Sequence, residues 1–304
     1  MSPIGPTAMS SEQAAFLHAL NATDRQAFNR YVAERGGAQD VEHKEAFKSE
    51  FNRLPLLADE SLRRLAHRAL AASVGPRVSH TTWTEWPSIE HTWRGTRRTA
   101  FWEDYGRRHM EWVQLLAAKG VGPVYNPTSN ATGYRNNAST LEMHALHLDA
   151  DGVGDWHVLF ALLVERGIAF LAHRSGGNAP ALPKWRIVLP LTRPFHTAAE
   201  TGVLAWRTTY AVARVTFGAL AQLTGPGFDP ATDGPHHPWF PGARRRPADP
   251  LREVFQNHGA TLDLHALLDH LPRPPAPQSR AQSHQTRRTS SPSLLQLAFE
   301  AAGM

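Results

Sequence analysis

The sequence predicts an α/β protein that begins with a helical segment. Residues 1–78 carry apolar side chains at helical spacing behind capping residues, which favours helices. After about residue 120 the pattern changes to short apolar segments separated by Gly, Pro and Asn, which is typical of strands that alternate with helices. A stretch at 271–290 with several arginines, no acid and many Pro, Ser and Gln indicates a flexible basic linker.

These patterns divide the chain into a helical accessory domain at 1–78, a main domain at 79–272, and a linker with a short final helix at 273–304. Two capping signals belong to the first part. Thr23 with Gln26 predicts a capping box, and Asp59 is a predicted N-cap. The helices predicted in this part are Ala27–Glu34, Val41–Arg53 and Leu62–Ala72, and the final helix is Ser293–Ala302.

In the main domain, Trp83–Arg98 is interpreted as irregular because Pro87 and Gly95 separate its tryptophans. The predicted strands are Pro123–Asn126, Met143–Asp149, Ile168–His173, Arg186–Pro190 and Arg252–Gln256. The predicted helices are Thr99–Ala118, Asp155–Arg166 and Ala198–Leu223.

Composition restricts the class of protein. A hydrophobic fraction of 41% over 304 residues can bury a sizeable core, whereas no run is long enough to span a membrane. The sequence contains no cysteine, which excludes disulfides and thiolate metal sites and fits a cytoplasmic protein. The excess of 32 Lys and Arg over 27 Asp and Glu favours a polyanionic partner such as a nucleic acid.

The segment 142–152 contains the most informative pair of acids. Side chains alternate between the two faces of a strand, so Asp149 and Asp151 point the same way with His147 behind them. Two neighbouring carboxylates repel each other unless a cation lies between them, and Mg²⁺ prefers such oxygen ligands. The alternative is a polar turn, Asp-Ala-Asp-Gly, that binds nothing.

A Pro- and Gly-rich loop at 227–246 adds a third acid. Asp229 and Asp233 are its carboxylates, and two-metal phosphoryl-transfer sites use a further carboxylate of this kind. Asp229 is preferred because Phe228 and Pro230 hold it at the end of an apolar stretch. The loop ends in the run Arg244, Arg245 and Arg246, which fits either a solvated face or contacts to phosphates.

Between these acids lies a basic middle segment. A Ser-Gly-Gly turn at 175–177 follows a predicted strand, and backbone amides in such turns approach phosphates closely. Arg174, Lys184 and Arg186 can supply positive charge beside it. Arg186 is predicted to share a strand face with Val188, where a solvated arginine is unexpected.

Taken in order, these segments resemble the archaeo-eukaryotic primase superfamily, especially its phage and plasmid primase-polymerases. That family has an Asp-x-Asp strand, a Ser-x-His segment, a basic strand ending in Pro-Leu, and a lone Asp before an aromatic-Pro turn. The corresponding segments here are Leu148–Gly152, His173–Ser175, Lys184–Leu191, and Asp229 ahead of Trp239–Pro241. One difference is that Gly177 stands where the family has its histidine, whereas His173 lies two places before Ser175.

The resemblance covers about residues 100–256 and implies an α+β core with a sheet like that of the RNA-recognition motif, flanked by helices. It implies a template-dependent nucleotidyltransferase, a DNA primase or polymerase, that acts on single-stranded DNA and nucleoside triphosphates in bacterial, phage or plasmid replication. A replicative helicase is left open as a further partner. Two Mg²⁺ or Mn²⁺ ions would be bound by Asp149, Asp151 and Asp229, the triphosphate by His173, Arg174, Ser175, Lys184 and Arg186, and DNA by Arg244, Arg245 and Arg246.

Two alternatives stay open at this point. A replication-initiator nicking enzyme needs paired histidines, but strand alternation would put His144 and His147 on opposite faces. A DNA-binding module without catalysis is favoured by the altered middle segment.

Overall fold

The structure is a computed structural model that describes residues 9–88, 93–119, 123–150, 154, 156–174, 184–197, 199–200, 205–239 and 254–272. All of these belong to one compact unit. The predicted linker and the helix predicted at Ser293–Ala302 lie outside the described residues. Among the helices that are described, none is long and apolar enough to cross a membrane.

Helices and strands alternate through the main part of the chain, so the prediction of a mixed α/β fold is confirmed. The helices of the described part are α1 (Ser11–Ala22), α2 (Ala27–Glu34), α3 (Val41–Phe51), α4 (Glu60–Ala72), α5 (Trp102–Lys119), α6 (Trp156–Glu165), α7 (Trp206–Leu220) and α8 (Leu264–Asp269). Its strands are β1 (Val74–Arg77), β2 (His80–Trp86), β3 (Thr96–Phe101), β4 (Val124–Asn126), β5 (Thr128–Asn130), β6 (Thr140–Ala150), β7 (Phe170–Arg174), β8 (Trp185–His196), β9 (Val254–Asn257) and β10 (Ala260–Leu262).

The main sheet is organised around the long strands β6 and β8, which pair antiparallel. Strand β5 pairs with β6 on one side, and β7 followed by β9 continues the sheet on the other side of β8. Strand β10 pairs in parallel with β8 at Leu191, and β1 pairs antiparallel with β10. A smaller antiparallel sheet has the order β3-β2-β4. The predicted mixed sheet is therefore present.

Each face of the main sheet is buried by a different layer. Alternation along the strands sends Leu146 and Ile187 into one core and Ala145 and Val188 into the other. The first core also contains residues of α1, α4, α6, α7 and α8. The second core contains residues of α5 and the small sheet, including Trp83, Trp102, Tyr105 and Trp112.

The N-terminal helices divide between two clusters. Helices α1 and α4 contribute Phe16 and Leu62, both fully buried, to the core that the main sheet also lines. Helices α2 and α3 form a small cluster of their own around Tyr31 and Phe51. The helical segment therefore joins the main core through α1 and α4, whereas α2 and α3 pack mainly against each other.

One predicted cap is wrong and another is confirmed. Thr23 does not begin α2 but ends α1, where its hydroxyl donates to the carbonyl of Ala19 at 2.7 Å. The capping box lies instead at Ser10 and Gln13, at the start of α1, a helix that was not predicted from the sequence. Asp59 caps α4 as predicted and accepts from two backbone amides.

The tryptophan-rich segment is not irregular, and that prediction is wrong. Residues 80–86 and 96–101 form the antiparallel strands β2 and β3. Threonine and tryptophan both favour strands, and Trp83 and Trp86 are buried. Pro87 and Gly95 lie between the two strands and not within either of them.

The loop after α7 donates two hydrogen bonds to backbone carbonyls at the end of α3. The hydroxyl of Thr224 donates to the Asn52 carbonyl at 2.8 Å, and the amide of Gly225 donates to the Leu54 carbonyl at 2.7 Å. Gly225 has φ +58, and a Cβ placed there would lie 2.8 Å from the Asn52 Cα. Both the left-handed backbone and the close approach therefore require glycine.

We expect Gly225→Ala to lower the free energy of unfolding by roughly 3 kcal/mol. About 1–2 kcal/mol would come from the left-handed conformation, and the remainder from steric overpacking against Asn52. Chemical denaturation of the variant and the wild type measures this difference.

Gly167→Ala is the matched control. Gly167 has φ +64, but a Cβ there meets nothing within 4 Å, so only the conformational cost applies. Equal losses in the two variants would show that the contact between Gly225 and Asn52 contributes nothing to stability.

Candidate active site

Asp149 lies on the face of β6 that the sequence predicted. Leu146, Leu148 and Ala150 point into the core on the α7 side of the sheet, whereas Ala145 points into the opposite core. His147 lies on that second side, because its ring is 5.4 Å from Tyr125 and 4.7 Å from Trp239, between centroids. Asp149 is 8% exposed, so its carboxylate needs compensation from neighbours.

Three polar side chains form a row across the sheet. Asp149 is directly opposite Arg186 on β8, which is directly opposite His173 on β7. The Nε of Arg186 lies 3.5 Å from Oδ1 of Asp149, and the two side chains are 14% and 12% exposed. The Arg186 guanidinium also lies 5.7 Å from the centre of the Trp239 ring. The guanidinium of Arg186 thus lies beside the carboxylate of Asp149, on the same face of the sheet as Val188, as predicted.

The backbone of Asp229 is hydrogen-bonded to that of Asp149. The Asp229 amide donates to the Asp149 carbonyl at 2.7 Å, and Phe228 forms an antiparallel bridge with Ala150. Phe228 is fully buried and contacts the Trp156 ring at 5.7 Å between centroids. The apolar anchor and the bridge therefore bring two acids that are far apart in sequence to the same end of β6.

The loop that carries Asp229 is fixed at its other end as well. Trp239 and Tyr125 exchange backbone hydrogen bonds of 2.8 and 2.9 Å. The side-chain amide of Asn126 donates to the carbonyls of Pro235 and His237 at 2.8 and 2.9 Å. This role of Asn126 was not predicted from the sequence, because it depends on a contact with residues more than a hundred positions away.

Tyr210 on α7 lies near both acids. Its hydroxyl is 2.7 Å from that of Thr232, whose own hydroxyl donates to the Asp229 carbonyl. Burial raises the pKa of Tyr210, and the charges of Asp149 and Asp229 raise it further.

Asp233 has a different environment. Its carboxylate oxygens lie 4.0 Å from Arg25 and 3.8 Å from Arg207, both of which are more than half exposed. Asp233 thus takes part in a surface ion-pair network, whereas the backbone amide of Asp229 is hydrogen-bonded to Asp149.

His173 is fully buried and has partners for both ring nitrogens. Nδ1 lies 3.2 Å from the Arg174 carbonyl, which can only accept, so Nδ1 carries the proton. Nε2 then accepts from the hydroxyl of Tyr125 at 3.2 Å. Burial, and then the charge of Arg186, lowers the pKa of His173 to about 3. In this geometry the neutral ring has no nitrogen left for the triphosphate that the resemblance assigned to it.

Arg174 lies on the other face of the sheet. Its guanidinium is 4.2 Å from the centre of the Trp185 ring, which packs in the core of the opposite face with Phe160. The structure therefore separates Arg174 from Arg186, although both were predicted to contact the same triphosphate. Lys184 directly precedes β8, beside Trp185.

Several residues assigned from the sequence lie outside the described residues: Asp151, Ser175, Arg244, Arg245 and Arg246. Within the described part, no three Asp, Glu or His side chains come together as a metal site would require. The described acids of the site are Asp149 and Asp229, and the third proposed ligand, Asp151, is two positions beyond Asp149 in the chain.

Behind the acids lies a buried aromatic and histidine cluster that was not predicted from the sequence. The His109 ring on α5 is 4.5 Å from Tyr125 and 5.5 Å from His173, between centroids. The rings of His109 and His147 are both buried, and within the described residues the ring nitrogens of His147 have no hydrogen-bond partner. Burial, more than any neighbouring charge, holds the pKa of both histidines well below the ordinary value. The sequence signal that could have identified this cluster is helical spacing, because Tyr105, His109 and Trp112 share one face of α5.

Comparison with known proteins yields one structural similarity. No protein-family model matches the sequence, and no curated protein matches it. Among solved structures, the AEP domain of the primase-polymerase of cyanophage S-2L matches at 16% sequence identity and a TM-score of 0.35, over 70% of this chain and 98% of that one. Because that TM-score is low, this likeness carries no argument, and the proposals below rest on the geometry of the site and on the sequence motifs.

We expect the protein to lose stability as the pH falls below about 6.5, because the unfolded chain then binds protons that the buried histidines of the native state do not. His109→Phe removes one of these groups. The slope of unfolding free energy against pH, between the ordinary histidine pKa and about pH 4, should therefore decrease by up to ~1.4 kcal/mol per pH unit. Denaturation curves across that range measure the slope.

Tyr105→Phe is the control, since it alters the same cluster at a side chain that stays neutral throughout this range. Its hydroxyl is buried and has no hydrogen-bond partner among the described residues. A wild-type slope in His109→Phe would mean that His109 is protonated in the native state.

Proposed function

We propose that this protein is a template-dependent nucleotidyltransferase, a DNA primase or polymerase, that adds nucleotides from nucleoside triphosphates to a strand on single-stranded DNA. The observation that carries the proposal is the hydrogen bond from the Asp229 amide to the Asp149 carbonyl. It joins two acids from distant parts of the chain at the end of a central strand, with Arg186 beside them. Phosphoryl transfer uses this combination of carboxylates and a cation.

The donor chemistry fits magnesium or manganese. Asp149 and Asp229 offer carboxylate oxygens, which hard divalent cations prefer, and Asp151 follows in sequence on the same predicted face. When bound, two such ions would activate a 3′-hydroxyl and neutralise the leaving pyrophosphate. The role of the three carboxylates in this proposal is to hold the site, and Asp229 is kept in position by its loop contacts.

Arg186 is the residue we assign to the triphosphate. It is held beside Asp149 on one side and stacked near Trp239 on the other, so its guanidinium is positioned before any substrate binds. Lys184 and Ser175 stay in the proposal as further triphosphate contacts, and Arg244, Arg245 and Arg246 as contacts to the DNA backbone.

A DNA-binding module without catalysis is the second candidate, and the ion pair between Arg186 and Asp149 favours it. An arginine that neutralises a buried carboxylate can take the place of a metal ion. The nicking enzyme is disfavoured because its two histidines do not converge. His144 contacts Ser129 and Glu142, whereas His147 packs between Tyr125 and Trp239.

We expect Asp149→Asn and Asp229→Asn each to reduce nucleotide incorporation at least a hundredfold, because each removes a charged ligand with little change in volume. Incorporation of labelled nucleotides on a primed template with Mn²⁺ measures the effect. Asp151→Asn should behave in the same way.

Asp233→Asn is the matched control for Asp229, since it removes an equal charge four residues along the same loop, where the carboxylate pairs with arginines. It should retain activity within a few-fold of wild type. Full activity in Asp149→Asn would exclude this site. If Asp233→Asn lost activity and Asp229→Asn did not, Asp233 and not Asp229 would be the metal ligand.

A second prediction separates the two arginines. Arg186→Gln should raise the nucleotide KM about ten- to a hundredfold, since charge-assisted contacts contribute roughly 1.5–3 kcal/mol each. The Kd for single-stranded DNA should change much less, because that binding is distributed over many phosphates. Steady-state kinetics and anisotropy titrations provide the two constants.

Arg174→Gln removes the same charge from the other face of the sheet and should leave the nucleotide KM near that of wild type. If Arg186→Gln weakens DNA binding with an unchanged KM, Arg186 contacts the template and not the nucleotide.

A further inference from the structure

A pocket lies on the outer side of the Asp229 loop, between that loop and the α2–α3 hairpin. Its volume is about 430 Å³, within the range of roughly 300–1,000 Å³ usual for ligand sites. Residues 226–230 form one wall, and Phe28, Lys44, Lys48 and Asn52 lie along the other. Asp229 thus takes part both in the candidate active site and in the wall of this pocket.

Two lysines of α3 line the pocket. Lys44 and Lys48 are four residues apart on α3, so they lie on the same face of the helix. Both are exposed, and within the described residues neither forms an ion pair, although α3 carries three glutamates. Two neighbouring ammonium groups repel each other, and an anion between them would relieve that repulsion.

The other cations and acids in the pocket are partly neutralised within the protein. Asp24 pairs with Arg30 at 3.0 Å, and Arg25 lies 4.0 Å from Asp233. The remaining charged residues of the pocket are Lys44 and Lys48 on α3, together with the carboxylates of Glu45 on the same helix and Asp229 on the facing loop.

An aromatic ring and an amide lie beside the lysines. Phe28 is half-buried and contacts Phe51 edge-on, at 5.6 Å between centroids and 63° between ring planes. One part of the Phe28 ring therefore faces the pocket, where a flat base can stack. The side-chain amide of Asn52 forms no hydrogen bond within the described residues, and it offers both a donor and an acceptor.

The two walls are held together by a buried cation. Arg214 on α7 is 1% exposed, and its guanidinium donates to the carbonyls of Thr23, at 2.5 Å, and Pro226, at 3.0 Å. The contact of Gly225 with Asn52, described above, connects the walls at the other end. The pocket is therefore a fixed part of the fold and not a gap between independent pieces.

We propose that this pocket binds one nucleotide of a single-stranded nucleic acid, with its phosphate between Lys44 and Lys48 and its base against Phe28. The choice of a strand over other phosphate compounds rests on the proposed function, because Asp229 links the pocket to the site of synthesis. A strand seated here would pass along the outside of the Asp229 loop. The proposed contacts are two ammonium groups and an aromatic ring, so we expect this binding to persist when divalent cations are removed.

The test is DNA binding without metal. A labelled oligothymidylate is titrated in EDTA with wild type and with Lys44→Gln/Lys48→Gln, and thymidine monophosphate is titrated in the same way. We expect the Kd for the oligonucleotide to rise about ten- to a hundredfold. The slope of log K against log salt should also decrease, by roughly 0.7 for each phosphate that the variant no longer neutralises. Phe28→Leu keeps apolar volume but removes the stacking face, and should weaken binding about fivefold or more.

The control Arg97→Gln/Arg107→Gln removes the same charge from exposed positions outside the pocket. It should change the Kd less than about twofold in 0.15 M salt, because distant charges are screened. Weaker binding of both probes, or of the oligonucleotide alone, in the lysine variant supports the proposal. Weaker binding of the monophosphate alone, or equal effects of the lysine and control variants, would overturn it.

Failure of this inference can be separated from failure of the proposed function. If wild type incorporates nucleotides but the lysine variant binds DNA like the control, only the pocket assignment is wrong. The opposite result is that wild type shows no nucleotide incorporation while the lysine variant still binds DNA more weakly than wild type without metal. In that case the pocket assignment is supported and the proposed nucleotidyltransferase activity is wrong.

Discussion

A carboxylate that is almost entirely buried at the end of a central strand has to be compensated, and the contacts of Asp149 hold the site together. Arg186 on the next strand supplies an opposite charge, and the register of β6 against β8 is what brings them together. The Asp149 carbonyl accepts from Asp229, so the same residue also anchors the loop that carries the second acid. Shifting the register by one residue would send Asp149 into the apolar core on the other face and break both contacts.

Side chains alternate between the two faces of a strand, and this made part of the site predictable from the sequence. It correctly assigned Asp149 and Leu148 to opposite faces of β6, and Arg186 to the face of Val188. It could not show which of His173 and Arg174 shares a face with Arg186, because that depends on the register between two strands that the sequence does not encode locally. The same limit applies to Asn126 and Tyr125, whose contacts with the Asp229 loop join distant parts of the chain.

Local signals gave mixed results for a similar reason. Asp59 was identified as a cap because a single side chain and the next few amides determine it. Thr23 satisfies the same local rule, but it ends one helix where another was predicted to begin, since the apolar face of Ser11–Ala22 packs against the sheet core. For Thr23, tertiary packing of the preceding helix decided the outcome over the local signal. In the tryptophan-rich segment, Pro87 and Gly95 were interpreted as interrupting regular structure, whereas they lie between strands β2 and β3.

The buried guanidinium of Arg214 has a consequence for the order in which the molecule is assembled. It binds the carbonyl of Thr23, 191 positions earlier in the chain, and that of Pro226, 12 positions later. During synthesis the first helices leave the ribosome long before α7 exists, so the carbonyl at the end of α1 waits for a partner that is made late. Contacts of such long range also slow folding, because the intervening chain must be ordered first. The contacts that join α1 to the acid loop through Arg214 can therefore form only after α7 has been synthesised, and a chain interrupted before α7 would lack both Arg214 and Asp229.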